Sequence, residues 1–315
     1  MAESGPVLAV DVGGTKLAAA VVLPSGLVVG TVVRPTPQGA EAGTLFAVLV
    51  ELARAVLDSV GLPVTGAGVG CGGPMDWPAG VVSPVNIPGW RDFPLVARLA
   101  AELGVPVRIH NDAVCAAIAE HWRGAGRGHA AMLGMVVSTG VGGGLVLGDR
   151  VVDGASGNAG HVGHIVVDPE GPVCGCGGVG CLEAVARGPA VVAWALAHGW
   201  TPGGVPADGR ALAADARAGD PVALAAYARA GTMLGRGIAS AVAALDVTAV
   251  VVGGGFAASG DVLFDPLRAA YAKHAGLPHV RAATILPAAL GTETGLLGAA
   301  ALVLEGGRYW TGPAA

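Results

Sequence analysis

Charge is what this sequence most lacks. Of 315 residues only 13% are Asp, Glu, Lys or Arg, against 53% apolar, which excludes a disordered chain and leaves enough apolar residues for one large or two medium cores. The 18 basic and 23 acidic residues give a net charge of −5 and form no basic run or stripe. A nucleic-acid partner is therefore not expected. Lysine occurs only at Lys16 and Lys273, behind Thr15 and Ala272, so the Gly-Lys-Ser/Thr end of a Walker loop is missing and that kind of phosphate site is excluded. No apolar run is long enough for a membrane. The most apolar stretch, 237–258, is broken by Asp246 and the triplet Gly253, Gly254, Gly255, and it reads as a helix followed by a buried strand. The start, MAESGP, has no positive residue and the apolar run behind it stops at Asp11, so no secretory leader is expected. Five cysteines suit a reducing cytoplasm.

Glycine, by contrast, is abundant. The 54 glycines stand in short clusters without a repeat, which points to tight turns and close backbone approaches rather than to a fibre. One cluster falls in residues 164–183, HIVVDPEGPVCGCGGVGCLE. One imidazole, His164, and three thiols, Cys174, Cys176 and Cys181, make a closed tetrahedral set for structural zinc, with glycines that let the chain fold around an ion. Three sulfurs in so short a span suit disulfides poorly because their number is odd. A disulfide or a group of buried free thiols is the alternative. If a metal is bound, His164 and Glu183 sit on one rigid knot.

Taken in order, residues 7–10 read as a buried strand, followed by Asp11-Val12-Gly13-Gly14-Thr15-Lys16 and two more strands, 17–23 and 27–33. Backbone N–H groups at Gly13 and Gly14 can approach phosphate oxygens, Thr15 can add a hydroxyl, and Asp11 can orient magnesium through water. A plain hairpin turn is the other reading. Residues 41–60 form a helix ending near Gly61, and 64–71 a strand running into Gly72-Gly73-Pro74. The breakers in 83–90 make a loop that presents Asn86 either to a ligand or to its own turn. A helix over 95–103, a strand over 105–109, then Asn111 and Asp112 and a helix over 113–122 put both polar side chains at the carboxyl end of a sheet. There they can bind a ligand, cap the helix, or do both. Residues 124–128 read as a joint. Beyond it, 131–137 is a strand, Ser138-Thr139-Gly140-Val141-Gly142-Gly143-Gly144 a second glycine turn, and 145–147 the returning strand. Helices are expected over 190–198, 221–245, 264–274 and 294–304, and strands over 247–252 and 284–286, with a loop at 201–209. The glycines after 252 could lie against a nucleotide. The alternation calls for an α/β protein in two lobes.

Together these motifs resemble the ROK family of sugar kinases and repressors over nearly the whole chain. The resemblance implies an actin-like, ribonuclease-H-like fold with sugar and ATP bound between a lobe of residues 1–123, completed by 294–315, and a larger lobe of 124–293. It implies Asp112 as the base that takes the proton of the sugar 6-hydroxyl, and sugar contacts from Gly73, Asn86, Asn111, His164 and Glu183. Phosphate and nucleotide contacts are implied for Asp11, Gly13, Gly14, Thr15, Lys16, Thr139, Gly140, Gly142, Gly143, Gly254 and Gly255. ATP with Mg2+, zinc on His164, Cys174, Cys176 and Cys181, and a homodimer complete the expectation. His161 departs from the pattern: glucokinases of the family carry glutamate there, and a neutral imidazole offers one donor and one acceptor where a carboxylate only accepts. The surrounding Ala-Gly-His-x-Gly-His resembles the N-acetylmannosamine kinases, so an N-acetylmannosamine-type substrate is slightly favoured over glucose. Another amino sugar or a cyclitol is a further option, and His161 is either a specificity residue or a tolerated neighbour. The family's repressors carry a helix-turn-helix ahead of the first strand; six residues precede Val7 here, which disfavours that role. A binding protein without catalysis would be expected to have lost Asp112.

Overall fold

The computed structural model describes residues 5–203 and 206–312. The chain forms two compact units, the first made of Met1–Arg127, Gly144–Ala159 and Leu290–Ala315, the second of Gly128–Gly143 and Gly160–Ala289.

In the first unit, β2 (Lys16–Val22) pairs antiparallel with both β1 (Val7–Val12) and β3 (Val28–Pro35). Helix α1 (Ala42–Val60) leads to β4 (Ala67–Cys71), which pairs parallel with β1. A three-stranded sheet of β5 (Met75–Asp76), β6 (Val81–Val82) and β7 (Phe93–Pro94) follows, then α2 (Leu95–Leu103), β8 (Val107–Asn111) and α3 (Asp112–Arg123). The main sheet has the order β3-β2-β1-β4-β8. Strand β1, VLAVDV, is almost wholly buried, as expected of a strand covered on both faces. On one face Leu45, Leu49, Leu52 and Val56 of α1 pack over Leu8, Val10, Leu17 and Val69. On the other, Leu296, Ala299 and Ala300 of the helix Thr294–Leu304 join Val114 and Ile118 of α3 over Val7, Ala9 and Ala20. These contacts fix α3, and with it Asp112, to the carboxyl ends of β1, β4 and β8. The glycine Gly61, at φ 69°, ends α1 with its N–H on the carbonyl of Leu57.

In the second unit, β9 (Met132–Val137) lies between β10 (Val141–Leu147) and β12, introduced below. The end of β10, Leu145–Leu147, passes into the first unit and pairs there with β11 (Arg150–Val152). Helices α4 (Leu182–Ala186), α5 (Gly188–Ala197), α6 (Gly209–Arg217) and α7 (Pro221–Leu245) precede β12 (Ala249–Gly253), α8 (Asp261–His274), α9 (Pro278–Ala282) and β13 (Thr284–Pro287). Strand β12 runs parallel to both β9 and β13. Helix α7 begins at Pro221, directly after Asp220, whose carboxylate accepts the Ala223 N–H at 2.8 Å, a cap and a proline where a helix start favours them. No helix among the described residues is long and apolar enough to cross a membrane.

Two expectations change. Residues 141–144 belong to strand β10 instead of the turn. Their glycines serve contact, since a Cβ at Gly144 would lie 2.8 Å from the Cα of Val114 in α3. Helix α6, in a stretch behind the 201–209 loop to which the sequence reading gave no element, starts on Asp208, which accepts the N–H groups of Arg210 and Ala211 at 2.9 Å each.

Candidate active site and metal centre

In the first unit the β1–β2 turn is shaped by backbone and neighbours alike. Gly13 donates its N–H to the carbonyl of Lys16 at 3.0 Å. Thr36 donates its hydroxyl to the carbonyl of Gly13 at 2.7 Å, and Gln38 its amide to that of Gly14 at 2.8 Å. Both residues were missed in the sequence, where nothing distinguishes them from ordinary polar residues after a strand. They hold the Gly13 and Gly14 carbonyls, and Thr15 and Lys16 stand exposed at the tip. Gly14 meets the Asn86 loop: a Cβ on it would lie 2.5 Å from the Cβ of Asn86, so only glycine lets the two segments touch.

Asp11, Gly72-Gly73, Asn111 and Asp112 gather at the carboxyl ends of β1, β4 and β8, where the ladders pair Asp11 with Gly70 and Cys71 with Asn111. The buried Asn111 and the exposed Asp112 both accept the Ala113 N–H, at 3.0 and 2.8 Å. Capping is thus part of what both residues do. A Cβ at Gly73 would lie 3.5 Å from the Asn111 amide, and one at Gly72 3.9 Å from an Asp112 oxygen. Burial, and then the negative charge of Asp112, push the carboxyl of Asp11 up to about 6, with Lys16 pulling the other way. Asp11 and Asp112 thus share one sheet end.

In the second unit, Ser138 donates its N–H to the Gly140 carbonyl at 2.8 Å, and Glu183, in the first turn of α4, accepts the Val141 N–H at 2.9 Å. Glu183 therefore braces the second glycine turn, a contact that the sequence did not suggest. Thr139 is exposed at its tip, Gly142 is half-buried beside it, and Gly143 is buried. The Gly253–Gly255 turn comes to the same place. Gly254, at φ 99°, lies against the backbone of Val137, and a Cβ at Gly255 would be 3.3 Å from the Ser138 hydroxyl oxygen. The rings of His161 and His164 stand 6.4 Å apart, nearly parallel.

His164, Cys174, Cys176 and Cys181 converge, with one ligand atom of each within 4.8 Å of every other. Cys176 Sγ lies 3.7 Å from Cys181 Sγ, and Cys174 Sγ 3.8 Å from His164 Nδ1. A tetrahedron with bonds of about 2.3 Å to sulfur has edges of roughly 3.8 Å, so the set fits a small tetrahedral dication. The Gly178 backbone and then the Cys174 thiol hold the exposed Cys176 thiol below its ordinary range, whereas burial and then the contact with Cys176 push the Cys181 thiol up to about 12; bound zinc would displace the protons of both. None of the five cysteines forms a disulfide.

Mixed α/β sheets with these glycine turns place the chain among the actin-like ATPases. A model described as ROK family matches residues 7–306, and the chain belongs to that family. It is 36% identical to a glucokinase of Streptomyces coelicolor, over 96% of this chain and 98% of that one. Against an N-acetylmannosamine kinase of Yersinia pseudotuberculosis it is 35% identical, over 94% and 97%. Among solved structures it is similar to a ROK family glucokinase from Streptomyces griseus in complex with glucose and AMPPNP, with a TM-score of 0.81 and 33% identity, covering 96% of this chain and 100% of that one.

Proposed function

We propose that this ROK sugar kinase transfers the γ-phosphate of ATP to the 6-hydroxyl of a hexose or hexosamine, with Asp112 as the base. The observation that carries the reading is the carboxylate of Asp112 at the head of α3, held on the Ala113 N–H beside Asn111. Phosphoryl transfer asks the protein mainly for positioning and for charge stabilisation. Asn86, Asn111, Gly73, His161, His164 and Glu183 bind the sugar hydroxyls, and Asp112 accepts the proton as that oxygen attacks phosphorus. The turns at Asp11–Lys16 and Thr139–Gly143, with Gly254 and Gly255, supply backbone donors and close approach for the nucleotide. Asp11 would hold Mg2+ through water; the cation neutralises phosphate charge when bound. Zinc on His164, Cys174, Cys176 and Cys181 would serve structure, keeping His164 on a fixed knot.

For the sugar, an N-acetylmannosamine-type substrate is favoured slightly on His161, while the 36% and 35% identities to the two kinds of kinase support glucose equally. A coupled ADP assay against glucose, mannose, glucosamine, N-acetylglucosamine and N-acetylmannosamine, with Asp112→Asn as control, ranks them by kcat/KM. A dominant N-acetylmannosamine makes His161 a specificity residue; a dominant glucose makes the enzyme a glucokinase. Full activity in Asp112→Asn would remove the base from the mechanism. Like the other properties that the resemblance implies, assembly as a homodimer belongs to this reading.

A further inference from the structure

Strand β8 is an outer strand of its sheet, so one row of its backbone groups lacks a ladder partner. Two side chains occupy that row. Trp77 donates its indole N–H to the carbonyl of Ile109 at 3.1 Å, and His110 Nδ1 accepts the N–H of Asn111 at 2.8 Å. An imidazole nitrogen that accepts from a backbone N–H carries no proton, so the proton of His110 is on Nε2. That N–H donates to Asp153 Oδ1 at 2.7 Å, and the other Asp153 oxygen accepts the Thr311 hydroxyl. His110 and Asp153 are buried, 1% and 6% exposed. The ring of Trp77 lies 5.3 Å from that of His110 and meets Trp310 edge-on at 5.5 Å. The reaction described above uses none of these groups.

A buried carboxylate adds little net stability compared with apolar packing, and Trp77 and Trp310 already provide such packing here. What the polar chain adds is direction. It runs from Asp153 through His110 to the Asn111 peptide, and from there Asn111 and Asp112 share the Ala113 N–H. We propose that Asp153 and His110 are positioning residues for Asp112: the carboxylate fixes the imidazole tautomer, and the imidazole fixes the peptide from which the Asn111-Asp112 pair projects. The inference rests on the reading of Asp112 as the base.

Its test is a double-mutant cycle on the full chain with ATP and whichever panel sugar is phosphorylated best. Asp153→Ala should lower kcat roughly 10- to 100-fold with KM for ATP little changed, because displacement of a base by about 1 Å costs on that scale. Asp153→Asn keeps an acceptor for the His110 N–H and should recover most of the loss. In the Asp112→Asn background Asp153→Ala should cost nothing further, since the group it positions is gone. Equal losses in both backgrounds, or an unchanged kcat with only a lower Tm, would overturn the proposal and leave Asp153 an anchor for Trp310 and Thr311. If Asp153→Ala does not fold, His110→Gln removes the acceptor of the Asn111 N–H and must give the same pattern; an unchanged kcat overturns the proposal there too. An Asp112→Asn enzyme as fast as wild type removes the base reading and this inference with it, whereas an inactive one beside a fully active Asp153→Ala removes only the inference.

Discussion

Replacing Asp11 by asparagine should make the ligand-free protein more stable and the enzyme inactive. Burial and the neighbouring charge of Asp112 raise this carboxyl from an ordinary 3.8 to about 6. The folded chain therefore binds the proton more tightly than the unfolded one. Relative to alkaline solution, the resulting stability is fully present below pH 3.8, is lost as the pH rises, and is gone above about pH 6. At neutral pH the ionised Asp11 thus burdens the fold by about 3 kcal/mol, some two pKa units at ~1.4 kcal/mol each. Asparagine has no proton to lose and escapes that burden. At about 2–4 °C per kcal/mol for a unit of this size, Asp11→Asn should melt roughly 6–12 °C above wild type at pH 8. By pH 4.5 the difference should shrink to about 1 kcal/mol. Melting followed by circular dichroism without nucleotide or cation, at both pH values, measures this, while kcat should collapse because a neutral amide holds a cation poorly. Equal melting at pH 8, or a gain that does not shrink in acid, would refute the electrostatic reasoning.

Two other outcomes follow from the second unit. Purified protein should carry about one equivalent of zinc, and stripping it with a strong chelator should lower the melting temperature, because metal binding free energy is folding free energy at such a site; metal analysis that finds no tightly held ion removes the assignment. His161→Glu should raise kcat/KM for glucose relative to N-acetylmannosamine by roughly 10-fold, the scale of one altered polar contact, and an unmoved ratio would make His161 a bystander.

The elements that were legible in the sequence are those whose cause is local. Helix α7 and the helix Thr294–Leu304 lie where the apolar spacing puts them, and α7 begins on an Asp-Pro start that a reader of the chain can see. The Cys-His cluster was legible for a similar reason, since three of its four ligands lie within eight residues and need only one turn to meet. Misreading began where a glycine answers to a distant neighbour. Gly144 looks like a turn residue, yet it sits in a strand because α3 passes over it, and no window around residue 144 contains that fact. The same limit hid Thr36, Gln38 and Asp153. Each is an unremarkable polar residue until the fold brings a carbonyl, or a histidine, within hydrogen-bond reach.

A physical rule separates the groups that the sequence offered from those it withheld. Residues implied to touch ligand, such as Asp112, Asn86 and Thr15, are exposed at turns and strand ends, where Gly, Asn and Asp stand out against an apolar background. Residues that hold the site's segments in place act across long sequence separations: the buried Thr36 on Gly13, the buried Asp153 on His110, and the half-buried Glu183, which the sequence offered only as a ligand contact, on Val141. Each turn of the site is therefore fixed from outside its own segment. Both glycine turns gain their shape from side chains at least 23 residues away. Since an exposed glycine loop orders itself poorly, these braces would, on the proposed function, keep the backbone donors aimed before the nucleotide arrives and so lower the ordering cost of binding. Removing a brace should then weaken nucleotide affinity while the turn sequence is left intact.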